Sequence, residues 1–173
     1  RNSNLELEDS ALSALSPRLS FEYEYNPNLV FTGSWGKFVQ KPDVGQMTEY
    51  LGNPDLKYAE AEQRSLGLKY DMNNDWNLQF EVFHKPMVNL TSIAPSPIYY
   101  DNEQEGRAYG MDFILKKQFS NGSYGWLSYT YSRSERTDSD QTRLFDGDQP
   151  HTLNVVWSEP VSYTHLTLPT TRL

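Results

Sequence analysis

Three histidines, 23 acidic side chains and no cysteine are the raw material for chemistry in this chain. His84 and His151 stand without neighbouring ligands at metal-binding spacing, so each is expected to be an ordinary lumen or rim residue. The stretch "DSDQTRLFDGD" brings Asp138, Asp140, Asp146 and Asp148 close in sequence. It lacks the sixth-position glycine, where Arg143 stands, and the terminal glutamate of a calcium loop, and is expected to be a solvated acidic loop. Glu22 with Glu24, or Glu60 with Glu62, could pair as acid and base, but alternate residues of a strand share a face without any catalytic role. Two usable histidines give no Ser/His/Asp arrangement. Absent cysteine removes disulfides, thiol chemistry and cysteine-based zinc sites. "NLT" (89–91) and "NGS" (121–123) match glycosylation sequons, the second inside a turn. No cofactor, metal or catalytic residue is expected.

The elements that would position any such group are strands. In "GRAYGMDFILKK", Tyr109, Met111, Phe113 and Leu115 alternate with Ala108, Gly110, Asp112 and Lys116. Six further segments repeat the pattern: "PRLSFEYEY", "LVFTGSWGKF", "RSLGLKYD", "WNLQFEVF", "GWLSYTYS" and "HTLNVVW". Their links alternate between short turns ("NPN", "MNND", "SNGS") and long polar stretches, roughly 40–62, 86–106 and 134–149. An up-and-down sheet with such links collects its tight turns at one end and its long loops at the other. Tyr25, Tyr70, Trp76, Phe119 and Tyr124 flank the tight turns, as an interfacial belt would.

Composition narrows the class. Aromatics make up 14% of 173 residues, yet the net charge is −8 and the mean hydropathy −0.72. Rings with few aliphatics suit strands at an interface better than a packed helical core. An acidic chain lacks the basic footprint for nucleic acid. No apolar run reaches the length of a membrane-spanning helix, a test that β-strands escape. The expected fold is all-β: antiparallel up-and-down strands forming a partial, about seven-strand segment of a transmembrane outer-membrane β-barrel. Lipid is expected against Leu19, Phe21, Tyr23, Leu66, Leu68, Phe80, Tyr109, Met111, Phe113, Leu115, Tyr129 and Tyr131. Glu22, Glu24, Lys69, Glu81, Asp112 and Lys116 are expected to face a wet lumen.

Residues 16–158 carry a resemblance. "LSPRLSFEYEYNPNLVFTGSWGKFVQKP", "GNPDLKYAEAEQRSLGLKYDMNNDWNLQFEVFHKPMVNL", "GRAYGMDFILKK", "WLSYTYS" and "PHTLNVVW" are similar, in order and spacing, to the C-terminal barrel of TonB-dependent outer-membrane receptors. The "GNPDLK" loop and its return strands are the most specific part. The resemblance implies an active transporter in the bacterial outer membrane, with a 22-stranded barrel closed by an N-terminal plug. It implies a bulky ligand (an iron–siderophore, cobalamin or oligosaccharide), lipid and lipopolysaccharide around the wall, and TonB engaged through an N-terminal region lying outside these residues. Tyr50, Tyr99, Tyr100, Arg143 and Phe145, on the long loops, are the candidate ligand contacts.

Three segments are expected. Residues 1–15 read as the remnant of a preceding loop or strand, since "RNSNLELED" starts without Met or signal peptide. Residues 16–158 form the barrel portion. Residues 159–173 depart from the pattern, and "VSYTHLTLPTTRL" resembles translated sequencing-adapter read-through, so Tyr163 and His165 carry no functional weight. A passive porin, a barrel enzyme and a soluble β-rich binding module are the alternatives.

Overall fold

The computed structural model describes residues 15–48, 52–73, 75–93, 99–119, 122–138 and 141–160. Its strands are β1 (Arg18–Asn26), β2 (Leu29–Gln40), β3 (Ala59–Asn73), β4 (Trp76–Ile93), β5 (Tyr100–Gln118), β6 (Tyr124–Asp138), β7 (Gln141–Leu144) and β8 (His151–Ser158). All pair antiparallel in one sheet, each of β1 to β6 against the next. β7 and β8 both pair with β6, β7 along its Glu135–Asp138 end and β8 along Tyr124–Tyr131. They lie end to end, a single return strand interrupted by residues 145–150.

The tight turns follow from asparagine chemistry. Asn26 Oδ1 accepts from the Asn28 backbone N–H at 2.9 Å. Asn73 Oδ1 accepts from Asp75 and Trp76 backbone N–H groups at 3.0 and 3.1 Å. Such side chains mimic a backbone turn acceptor. Gly122, at φ +85°, takes the left-handed position in the third turn.

Register makes the sheet two-faced. Tyr23, Phe31, Leu68, Phe80, Phe113, Tyr129 and Leu153 stand side by side across seven strands. The row toward the tight turns reads Leu29, Tyr70, Leu78, Leu115, Leu127 and Val155. The row on the other side reads Phe21, Gly33, Leu66, Val82, Met111, Tyr131 and His151. The opposite face carries Glu22, Thr32, Gly67, Glu81, Asp112, Thr130 and Thr152 in one row.

None of the described residues covers the apolar face. Among the described residues Leu56 is the only buried hydrophobic side chain, while Leu66, Leu153 and Val155 are 61%, 62% and 67% exposed. A soluble sandwich would pack a second sheet about 10 Å away. Here the described residues form one sheet.

The expected partial barrel of about seven strands is what the described residues form, with β7 and β8 sharing one place beside β6. One expectation is corrected, since β7 lies inside the presumed loop 134–149. The stretches read as long loops are largely strand: β4 runs to Ile93, β5 starts at Tyr100, and only residues 94–99 connect them. β5 and β6 are largely polar on both faces there, and β4 scatters Met87, Val88, Leu90 and Ile93 over both, so the alternation disappears while the backbone ladder continues. Among the described residues only the stretch between β2 and β3, 41–58, remains a long connection between strands.

Candidate functional site

A wall of polar side chains lines one face of the sheet. Lys69 Nζ meets Glu22 Oε1 at 2.6 Å, and Thr130 Oγ1 donates to Asp112 Oδ1 at 2.5 Å. Asn77 Nδ2 donates to Asp71 Oδ1 at 2.6 Å. A shallow cleft of about 310 Å³ runs between these groups, bordered by Thr32, Lys69, Glu81, Asp112 and Thr130. Exposed acceptors and donors at this spacing can hydrate or bind a polar solute.

The long-connection end holds a denser cluster. Gln104 Nε2 donates to Asp138 Oδ1 at 2.6 Å, while Arg143 Nε and Nη2 donate to Asp138 Oδ2 at 3.1 and 2.9 Å. Those bonds, Gln104 first and then Arg143, hold the Asp138 carboxyl below its ordinary pKa. The Arg136 guanidinium lies 4.6 Å from the centroid of the Phe145 ring. Burial, reinforced by the nearby Arg143 charge, lowers its pKa. A cleft of about 520 Å³ opens among Ser92, Asp101, Glu103, Gln104, Asp138 and Arg143.

Asn102 ties the 41–58 connection to this end. Its Oδ1 accepts from the Lys57 N–H at 2.6 Å, and its Nδ2 donates to the Lys57 and Asn89 carbonyls at 3.3 and 2.9 Å. Asn53 Nδ2 donates to the Tyr100 carbonyl at 3.0 Å. One side-chain amide thus substitutes for a ladder rung beside Asn89, whose φ of 56° marks an irregular strand position.

A family model described as TonB dependent receptor-like, beta-barrel, matches residues 2–171. The chain belongs to that family. No curated protein matches it. TonB-dependent receptors are transporters of the bacterial outer membrane that engage a ligand and TonB, and the all-β, open up-and-down sheet is the form of a partial receptor barrel.

Within this receptor sheet, the twelve apolar residues named from sequence share one face and the six charged ones share the other. Of the loop candidates, Arg143 and Phe145 join the cluster around Asp138 and Arg136. Tyr100 opens β5 opposite Ile93, and Tyr99 is exposed just before it. Tyr50 lies outside the described residues, as do Asp140, Asn121, Tyr163, His165 and the segment 161–173. His151 Nδ1 sits 2.8 Å from the Tyr129 hydroxyl, and His84 stands between Arg64 and Tyr109 in register. Glu60 and Glu62 are engaged by Lys37 at 2.8 Å and Arg64 at 2.7 Å. Among the described residues no three metal-ligating side chains converge.

The belt at the tight turns is refined. Lys117 Nζ sits 4.3 Å from the Trp76 ring centroid and 4.8 Å from that of Phe119, which in turn packs edge-on against Trp157 at 4.9 Å. Tyr124 stands elsewhere. It pairs with Gln118, and with Trp126, opposite Lys116, it belongs to the polar face; their rings stack at 6.2 Å. Proximity to a turn does not fix the side of the sheet; parity from Asp112 through Lys116 to Trp126 does. Trp126 and Asn102 are contributors the sequence reading missed. Trp126 was legible by parity, whereas Asn102, three-dimensional in its contacts, left no signal.

Proposed function

We propose that this chain builds part of the wall and outer mouth of an outer-membrane receptor for TonB-coupled uptake of a bulky ligand, an iron–siderophore, cobalamin or an oligosaccharide. The observation that carries the reading is the two-faced single sheet: seven strands contribute to an unbroken apolar row, backed by an equally continuous polar row. Lipid is the one solvent that suits the first, and a wet lumen suits the second. The cluster around Arg143, Asp138, Arg136 and Phe145 is the proposed ligand-facing mouth. Its guanidinium groups and ring offer pairing and stacking to a large polar ligand. TonB contact belongs to the receptor as a whole. Lipid and lipopolysaccharide are the proposed neighbours of the apolar face, and no catalytic role is proposed.

Uptake of labelled ferric siderophore, cobalamin and oligosaccharide by cells producing the receptor tests this, with and without TonB. The proposal expects one of the three to accumulate, only when TonB is present. Flux that persists without TonB would instead identify a passive porin.

A further inference from the structure

The polar face carries a pair of rings at its tight-turn end. Tyr124 and Trp126, alternate residues of β6, have ring planes within 6° of each other and centroids 6.2 Å apart. They are 47% and 37% exposed. A recess of about 420 Å³ opens beside them, bordered across β3, β4 and β5 by Asp71, Asn77, Lys116 and Gln118. Register explains the grouping: Asp71, Asn77, Lys116 and Trp126 form one row, and Gln118 faces Tyr124 in the next. The volume is in the range of small-molecule sites.

The polar wall of the recess mixes donors and acceptors. Gln79 Nε2 donates to Asn77 Oδ1 at 3.0 Å, and Asn77 Nδ2 donates to Asp71 Oδ1 at 2.6 Å. The second Asn77 N–H and Asp71 Oδ2 are left over. Among the described residues the Lys116 ammonium, the Gln118 amide, the Tyr124 hydroxyl and the Trp126 indole N–H make no hydrogen bond or ion pair. Asp71 and Asp75 offset Lys116 and Lys117, so the lining has no formal net charge. A multiply charged ligand gains little there. A sugar gains more: each hydroxyl both donates and accepts, and its C–H-rich face is drawn to the negative face of an aromatic ring.

The same face of β6 leads to the recess from the mouth. Below Asp138 and Arg136, the hydroxyl residues Ser134, Ser132, Thr130 and Ser128 follow at every second position down to Trp126. At the rise of a strand, Asp138 and Trp126 stand about 40 Å apart. Thr130 donates to Asp112 and Ser132 to the Gln149 carbonyl, yet each oxygen keeps acceptor capacity.

We propose that Tyr124 and Trp126 form a saccharide subsite at the tight-turn end of the lumen, holding a neutral sugar ring of an oligosaccharide. The proposal rests on the uptake reading and selects one of its three ligand classes. Outer-membrane barrels turn their short links to the periplasm, so the subsite meets the ligand on its way out, at the far end from the mouth cluster. A part of the receptor folded inside the barrel is the competing occupant.

The test is hydroxyl-radical footprinting of the full receptor in mild detergent, read by mass spectrometry at Tyr124 and Trp126. The probes are maltohexaose, cellohexaose, xylohexaose, a ferric catecholate and cyanocobalamin. Variants are first checked for the folded barrel by heat-modifiable gel mobility. Both rings are expected to oxidise in the free receptor and to be protected by at least one hexasaccharide. Loss of one ring contact predicts an about tenfold higher half-protecting concentration at Tyr124 in Trp126→Ala. Trp126→Phe should keep most of the affinity, and Trp157→Phe, on the other face, all of it. Rings already protected without sugar are covered by another part of the receptor, which overturns the subsite. Equal oxidation with and without every sugar does so too, as does an unchanged half-protecting concentration in Trp126→Ala. Protection by the catecholate or cyanocobalamin alone overturns the saccharide class. Uptake of the same probes with and without TonB separates the two levels. TonB-dependent uptake with unprotected rings defeats only the subsite, whereas sugar protection with TonB-independent flux defeats the uptake reading and leaves the subsite standing.

Discussion

At the scale of single residues, close backbone approach and one shared carboxylate decide most. A Cβ on Gly110 would lie 2.1 Å from the Tyr131 carbonyl oxygen and 2.9 Å from Ser132 Cα, backbone atoms that cannot swing aside. Gly110→Ala is therefore expected to disturb the β5–β6 ladder at a cost of about 1–3 kcal/mol, read as a lower urea midpoint of the folded receptor. Gly33 differs, since only the movable Phe21 ring opposes it. Asp138 predicts a pH response. Its carboxyl pKa is depressed in the folded chain by Gln104 and Arg143. The contribution of that clamp is therefore fully present above the ordinary carboxylate range and lost as pH falls through the lowered value. Amide exchange in β7 should stay constant from neutral pH to about pH 5 and rise, beyond the intrinsic change, only below about pH 4. In Asp138→Asn the added acid response should vanish.

Elements show where sequence was informative and where it was not. All seven alternating segments are strands, because one apolar and one polar face impose a period of two on the side chains. The distal halves of β4, β5 and β6 escaped notice for the converse physical reason. Around Arg107, Glu135, Lys85 and Ser134 polar side chains stand on both faces, so no hydrophobic period marks a strand whose ladder continues. β5, at 19 residues, is about 60 Å long, roughly twice the 9–11 residues a tilted spanning strand needs. Its proximal half alone carries the apolar row, with Phe113 near the middle. Phe113→Arg is expected to cost about 2–4 kcal/mol and to reduce membrane insertion of the full receptor. Asp112→Asn, one residue away on the opposite face, should insert normally. Similar insertion of both variants in an assembly assay would contradict the division of faces. The mouth cluster was partly legible: Arg143 and Phe145 drew attention as loop residues, but their partners Asp138, Gln104 and Arg136 emerge only once β5, β6 and β7 are side by side.

The whole molecule is organised by its surroundings rather than by a core. Leu56 alone is a buried hydrophobic among the described residues, so the usual stabilising burial of apolar area has to come from contact with something outside this sheet. Left in water, an apolar face of this extent and two unpaired edges, β1 on one side and β7 with β8 on the other among the described residues, would drive association. On the reading proposed above, lipid covers the face and neighbouring strands of the receptor cover the edges. That account has one direct test, and the chain's lack of cysteine makes it clean. Single spin labels attached through Tyr109→Cys to Lys116→Cys substitutions, one at a time, in receptor reconstituted into lipid, report oxygen against aqueous nickel-complex access at each position. The account predicts a strict period of two, with oxygen favoured at 109, 111, 113 and 115 and the nickel complex at 110, 112, 114 and 116. Uniform access along β5, or the same period with its phase reversed, would contradict it.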